Sequence, residues 1–120
     1  MHEMGIAQNI LDIALNAAKQ EGATKISRIN LVAGELRGIV QMQLSFCFSI
    51  VAKDSIASGA YLNVEESPVS GHCNDCSADF TIEEYNYLCP KCGGTKVQIT
   101  GGTELRIKDC LLYTSDAADE

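Results

Sequence analysis

The residues of this chain best suited to chemistry are four of its cysteines. Cys73-Asn-Asp-Cys76 and Cys89-Pro-Lys-Cys92 form two C-x-x-C pairs separated by twelve residues. Two thiolates three positions apart on a tight turn can aim at one ion, and a second such turn completes a tetrahedron. Gly93-Gly94 after the second pair supplies the positive φ that such a turn needs, and Pro90 stiffens it. Zinc is the default occupant because it favours four sulfurs in this geometry, although iron fits the same cage. A redox dithiol needs only one pair beside a βαβ unit, and neither condition holds. Two disulfides would need an oxidising compartment. The opening Met1-His2-Glu3-Met4 lacks the basic region and apolar run of an export signal, so a cytoplasmic location is expected. Four cysteines close the coordination sphere and leave no place for water or substrate, so the role is structural. Such a site contributes on the order of 10 kcal/mol to a module too small to build its own apolar core. His72, beside Cys73, reads as a solvated loop histidine. Cys47 reads as a small apolar filler on the buried face of a helix.

The second candidate is His2. A histidine near a chain terminus is ordinarily just exposed, but its position gives it a further option. With Met1 retained, the free amine, the His2 amide nitrogen and the His2 imidazole can chelate one ion in fused rings. That nitrogen set favours square-planar geometry, which selects Ni(II) or Cu(II). Glu3 can add a carboxylate or act on the start of the following helix. All of these donors must be free of protons, so affinity is expected to fall steeply in acid.

These groups must be carried by ordered elements. Residues 4–20 read as an amphipathic helix with Ile6, Ile10, Ile13 and Ala17 on one face, widened by Leu11, Ala14, Leu15 and Ala18, and stopped at Gly22. Residues 25–33 alternate as a strand, with Ile29, Leu31 and Ala33 on the buried side. Gly34 to Gly38 make a turn, and a second helix covers about 40–53 with Val40, Leu44, Cys47, Phe48 and Val51 inward. Strand alternation returns at 60–66 and again at 103–108, flanking the cysteine-rich stretch. The expected fold is α+β, with two helices on a three-stranded sheet and an inserted zinc-ribbon-like module.

Composition narrows the function. The chain has 120 residues, is 46% hydrophobic, and sets nine Lys and Arg against sixteen Asp and Glu, a net charge of −7. Four of the acids lie in the last twelve residues, so residues 1–108 carry −3. Between residues 70 and 100 only Lys91 and Lys96 oppose Asp75, Asp79, Glu83 and Glu84. Displacing counterions from nucleic acid needs the opposite balance, so nucleic-acid binding is disfavoured. No apolar run approaches the roughly 20 residues of a membrane span. No nucleophile motif or phosphate-binding glycine loop appears, so an enzyme is not expected.

Met1-His2-Glu3-Met4 ahead of a helix, Gly34-Glu35-Leu36, Ala52-Lys53, the paired C-x-x-C motifs and Gly101-Gly102-Thr103-Glu104-Leu105 occur in an order and spacing that resembles the HypA/HybF family across residues 1–109. These are nickel metallochaperones of [NiFe]-hydrogenase assembly. The resemblance implies nickel held at the amino terminus by His2, with the Met1 backbone and Glu3 contributing, and structural zinc held by Cys73, Cys76, Cys89 and Cys92. It also implies delivery to the hydrogenase large subunit together with a maturation GTPase, a further role in urease maturation in some organisms, and a monomer or homodimer. Some members place an acidic residue near the start of the second helix, where Val40, Gln41, Met42 and Gln43 offer no carboxylate.

The expected domains are therefore 1–68 with 102–109 as the nickel-binding α+β part and 69–101 as the inserted zinc part. Residues 110–120 fit neither a strand continuation nor the family pattern and are expected to be non-native. The competing reading is a zinc-ribbon adaptor that docks on protein, with no nickel function. Cys76→Ala, or a strong chelator, is expected to disorder residues 70–100 and leave the α+β core largely folded. Amide chemical shifts in that stretch that stay put after complete metal removal would refute the expectation.

Overall fold

The computed structural model describes residues 3–114. In chain order it contains α1 (Glu3–Gln20), β1 (Ala23–Gly34), a 3₁₀ turn (Glu35–Arg37), α2 (Gln41–Val51), β2 (Tyr61–Ser67), β3 (Ser70–Cys73), β4 (Asp79–Thr81), β5 (Val97–Gly101) and β6 (Leu105–Thr114). Two sheets of three strands form, in the orders β2-β1-β6 and β4-β3-β5. Two helices with two small sheets make the fold α+β, as expected.

The chain divides into two compact units. The first holds the residues up to Leu31, Ile39–Glu65 and those from Arg106 on. The second holds Glu66–Leu105 together with Val32–Gly38, a stretch that the sequence reading assigned to the α+β part.

Within the first unit, α1 packs on α2. Ile6, Ala7, Ile10, Leu11, Ala14 and Ala18 form the buried face of α1. This rotates the expected face, because Ile13 is 58% exposed and Ala17 only half-buried. Ile13 lies roughly 100° round the helix from the centre of the buried stripe. The rotation adds Ala7 to the expected Ala14 and Ala18, small side chains that admit close approach of a neighbour, and it leaves the larger Ile13 outside. Gly22 ends the helix at φ +68, the left-handed conformation that glycine adopts without a Cβ penalty.

The buried side of α2 is narrower than expected. Leu44 and Phe48 are buried, Cys47 and Val51 are half-buried, and Val40 is exposed. Met42 and Phe46 point to solvent, at 80% and 66% exposure. The helix has no side-chain cap at its start. Gln41 anchors it differently, because its amide nitrogen donates to the Leu62 carbonyl while its Oε1 accepts from the Val64 amide at 2.8 Å. One neutral side chain thereby ties the first turn of α2 to the backbone of β2.

In β1 the alternation of Ile29, Leu31 and Ala33 is as read from the sequence, whereas buried Ile26 falls out of phase with it. The Ile26 amide instead donates to the Ile56 carbonyl at 2.9 Å. The sequence reading ended the last strand at Lys108, but β6 continues to Thr114. Ser27 Oγ donates to the Leu111 carbonyl at 3.3 Å, Thr24 Oγ1 to the Tyr113 carbonyl at 3.4 Å, and Asn30 Nδ2 to Asp109 Oδ1 at 2.5 Å. Residues 110–113 are Cys-Leu-Leu-Tyr, with no polar alternation to announce a strand. Pairing at the edge of the sheet does not require one, since no residue of β6 is fully buried. Residues 115–120 of the expected non-native tail lie outside the described residues.

Gln41→Ala removes two side-chain-to-backbone bonds and strands the Val64 amide. It is expected to cost about 1–3 kcal/mol, measured as a shift of the urea midpoint at unchanged slope; a loss below a few tenths would show that the anchor contributes nothing.

Candidate metal centre

Each C-x-x-C pair sits on a tight turn, and the two turns share one backbone solution. In the first, at the end of β3, the Ser77 amide donates to the Cys73 carbonyl at 2.8 Å and the Cys73 amide to the Ala78 carbonyl at 2.9 Å. In the second, the Gly93 amide donates to the Cys89 carbonyl at 2.8 Å and the Cys89 amide to the Gly94 carbonyl at 3.0 Å. The residue four places after the first cysteine is left-handed in both, with φ +64 at Ser77 and +70 at Gly93. The sequence announced this conformation only at the glycine. Ser77 adopts it at a cost of about 1 kcal/mol, which the turn sustains.

The turns bring the four sulfurs together, all within 4.8 Å of one another. Cys73 Sγ lies 3.6 Å from Cys92 Sγ, and Cys76 Sγ lies 3.5 Å from Cys89 Sγ. Zinc–sulfur bonds of roughly 2.3 Å in a regular tetrahedron set sulfurs about 3.8 Å apart, so the cluster is close to the size that zinc requires. These separations are far too long for disulfides, and all four cysteines are free thiols. The leading cysteine of each pair is buried and the trailing one exposed.

The protons on these sulfurs are shared unevenly. Amides of Cys92 and Lys91, aided by the neighbouring thiols and opposed by desolvation, draw Cys89 down to about 6. The Gly94 amide, 3.4 Å from the Cys92 sulfur, lowers that thiol, but hydrogen bonds with Cys73 and Cys89 outweigh it and push Cys92 up to about 12. Four adjacent thiolates repel one another, so the last proton leaves only when a cation takes its place.

Three antiparallel strands hold the first turn. Gly71 in β3 pairs with Phe80 in β4 and Ile99 in β5, and Cys73 pairs with Val97. His72 is not a bare loop residue as expected. It lies in β3, with Nδ1 2.7 Å from Asp79 Oδ1 across the strand pair.

The two glycine-bearing motifs, expected as a turn at Gly34 to Gly38 and the approach to the last strand at Gly101 to Leu105, form a clasp in the same unit. The Gly34 amide donates to the Glu104 carbonyl at 2.6 Å, the Leu36 amide to the Gly102 carbonyl at 2.8 Å, and Arg37 Nε to the Thr103 carbonyl at 2.7 Å. A Cβ on Gly34 would lie 2.1 Å from the Gly102 carbonyl carbon, and one on Gly102, at φ +101, would lie 2.7 Å from Val69 Cα. Glycine is required at both positions by contact with backbone. The Glu104 carboxylate accepts from Ser67 Oγ at 2.6 Å and from the Gly102 amide at 2.7 Å. Those bonds, the serine's foremost, draw its carboxyl down to about 2. Glu35 Oε1 accepts from the Val69 amide at 3.4 Å.

Of the expected nickel ligands, Glu3 opens α1 and is half-buried, while Met1 and His2 lie outside the described residues. Cys110 stands in β6, apart in sequence and absent from the four-sulfur cluster. No helix among the described residues is long and apolar enough to cross a membrane.

The fold and the sulfur cluster define a small α+β protein with a tetrathiolate metal module. A family model described as hydrogenase/urease nickel incorporation, metallochaperone, HypA matches residues 1–112. The chain belongs to this HypA family of metallochaperones. It is 43% identical over 112 residues to the hydrogenase maturation factor HypA of Azoarcus sp. strain BH72, a match covering 93% of this chain and 98% of that protein. It is 38% identical over 109 residues to the HypA of Rhodobacter capsulatus, covering 91% and 96%. The solution structure of the Ni metallochaperone HypA from Helicobacter pylori is similar with a TM-score of 0.71 at 26% identity, covering 96% of this chain and all of that one. A second solution structure, of a HypA protein, has a TM-score of 0.75 at the same identity, covering 96% and 98%.

Because the Glu104 carboxyl lies below its ordinary value of 4.5, its stabilisation is complete above that pH and fades as the pH falls toward about 2. The difference in melting temperature between the parent protein and Glu104→Gln is expected to stay flat from neutral pH down to about 5 and to shrink below it. A difference that grows on acidification would contradict the assignment.

Proposed function

We propose that this protein binds Ni(II) at its amino terminus and delivers it to the large subunit of [NiFe]-hydrogenase during maturation, in the cytoplasm and together with a maturation GTPase. The Met1 amine, the His2 amide and the His2 imidazole are the nitrogen donors, with Glu3 adding a carboxylate or fixing the start of α1. Cys73, Cys76, Cys89 and Cys92 hold a structural Zn(II). Urease accessory proteins are a second client of the same chemistry.

The observation that supports this reading best is that the family match starts at residue 1, so that Met1-His2-Glu3 falls within the matched sequence. Three further facts agree with it. Glu3 is the first residue of α1, which carries the ligand segment on a regular element. Four cysteines suffice for a tetrahedral ion, so the proposed zinc site does not call on His2. An amine, an amide and an imidazole at an open chain end suit a metal that must be handed on, whereas four sulfurs around an ion suit one that stays.

The test is a titration of Ni(II) into protein with a native amino terminus, into His2→Ala, and into a version with residues added before Met1. One tight site per chain is expected in the first and its loss, by at least about 100-fold in affinity, in the other two. Affinity is expected to decline as pH falls below about 6, since the imidazole must be neutral to ligate. Equal nickel binding by all three proteins would leave a zinc-stapled docking adaptor as the better reading.

A further inference from the structure

The second unit has little apolar core of its own. Apart from Cys73 and Cys89, its buried apolar side chains are Val32, Ala33, Val69 and Ile82. Half of these come from Val32–Gly38, far away in the sequence from the cysteines. Its sheet is short, with strands of four, three and five residues, and so small a core supplies little stability by itself.

A continuous set of bonds joins the cysteines to that distant segment. The Asn74 amide, next to Cys73, donates to the Lys96 carbonyl at 2.8 Å. Cys73 pairs with Val97, and the β3–β5 ladder runs from there to Ser70 and Gly101. Gly102 follows directly, with its backbone against Gly34 and its carbonyl on the Leu36 amide. Val69, which precedes β3, accepts the Ile82 amide and donates to the Glu35 carboxylate.

We propose that the Gly34–Arg37 and Gly101–Glu104 motifs form a latch through which occupancy of the four-cysteine site orders the backbone of Val32–Gly38. The latch has carboxylates at both sides, Glu35 and Glu104, and at Gly34 and Gly102 it is closed by contact with backbone. Metal binding fixes Cys73 and thereby the end of β3 and its partner β5. Those strands place Gly102 to Glu104, and they in turn hold Gly34 and Leu36. Because coupling is reciprocal, opening the latch loosens the metal as much as losing the metal opens the latch. The inference rests on the four cysteines binding a metal ion, and it is independent of what the amino terminus binds.

Hydrogen exchange, followed residue by residue on the whole chain, tests this. In zinc-loaded protein the Gly34 and Leu36 amides are expected to be protected. Stripping the zinc with a chelator should speed their exchange at least about tenfold while mid-α1 amides change little. Glu104→Ala, and the gentler Ser67→Ala, should speed exchange at the same two amides with zinc still bound. Both should also accelerate zinc transfer to a chromophoric chelator, by about fivefold or more. Unchanged exchange at Gly34 and Leu36 after complete stripping overturns the latch. So does transfer of zinc at the parent rate from a variant that retains its fold. Protein that never takes up one zinc per chain overturns the metal reading beneath it.

Discussion

Four sulfurs drawn within one coordination radius cannot all be ionised without a cation between them, and this constraint governs the whole second unit. The turns that aim the thiols inward use two left-handed residues and a pair of matched amide-to-carbonyl bonds. The strands that hold the first turn are too short to stand alone. Coordination energy is therefore what converts repulsion among thiolates into a fixed local fold. The thiols differ in how readily they release their protons: backbone amides lower Cys89, while at Cys92 the one from Gly94 is outweighed by the neighbouring thiols.

Around that centre the chain uses backbone contact where a larger protein would use a core. Gly34 and Gly102 approach each other so closely that no side chain fits between them, and Glu104 spends its carboxylate on a serine and an amide instead of on solvent. The same economy appears in the first unit, where alanines form half the buried face of α1 and one glutamine anchors α2 to β2. Polar side chains bonded to backbone do work here that larger apolar groups do elsewhere.

The two metal sites of the proposed function differ in their chemistry. A closed tetrathiolate has no open position and retains its ion, while a terminal amine with an adjacent imidazole is open on one side and exchanges. The proposed function puts both within one chain of the HypA family. The exposed apolar side chains of α2, Met42 and Phe46 among them, are not among the four sulfur ligands.

Much of this was legible in the residues themselves. The C-x-x-C spacing located all four sulfurs, because two ligands three apart on a turn admit few other readings. Alternation and helical periodicity located both helices and the three strands of the first sheet, since burial of one face imposes a period on the side chains. Which face was buried was less legible: Ile13 and Ala17 fit the period as well as Ala7 did, and only packing against a neighbour, where a small residue is better than a large one, made the choice. The extension of β6 to Thr114 carried no period because an edge strand without a buried residue needs none. The clasp was invisible for a different reason. The sequence marked Gly34 and Gly102 as glycines, but a glycine's reason lies in what comes within 3 Å of it, and here that is backbone from a segment nearly seventy residues away.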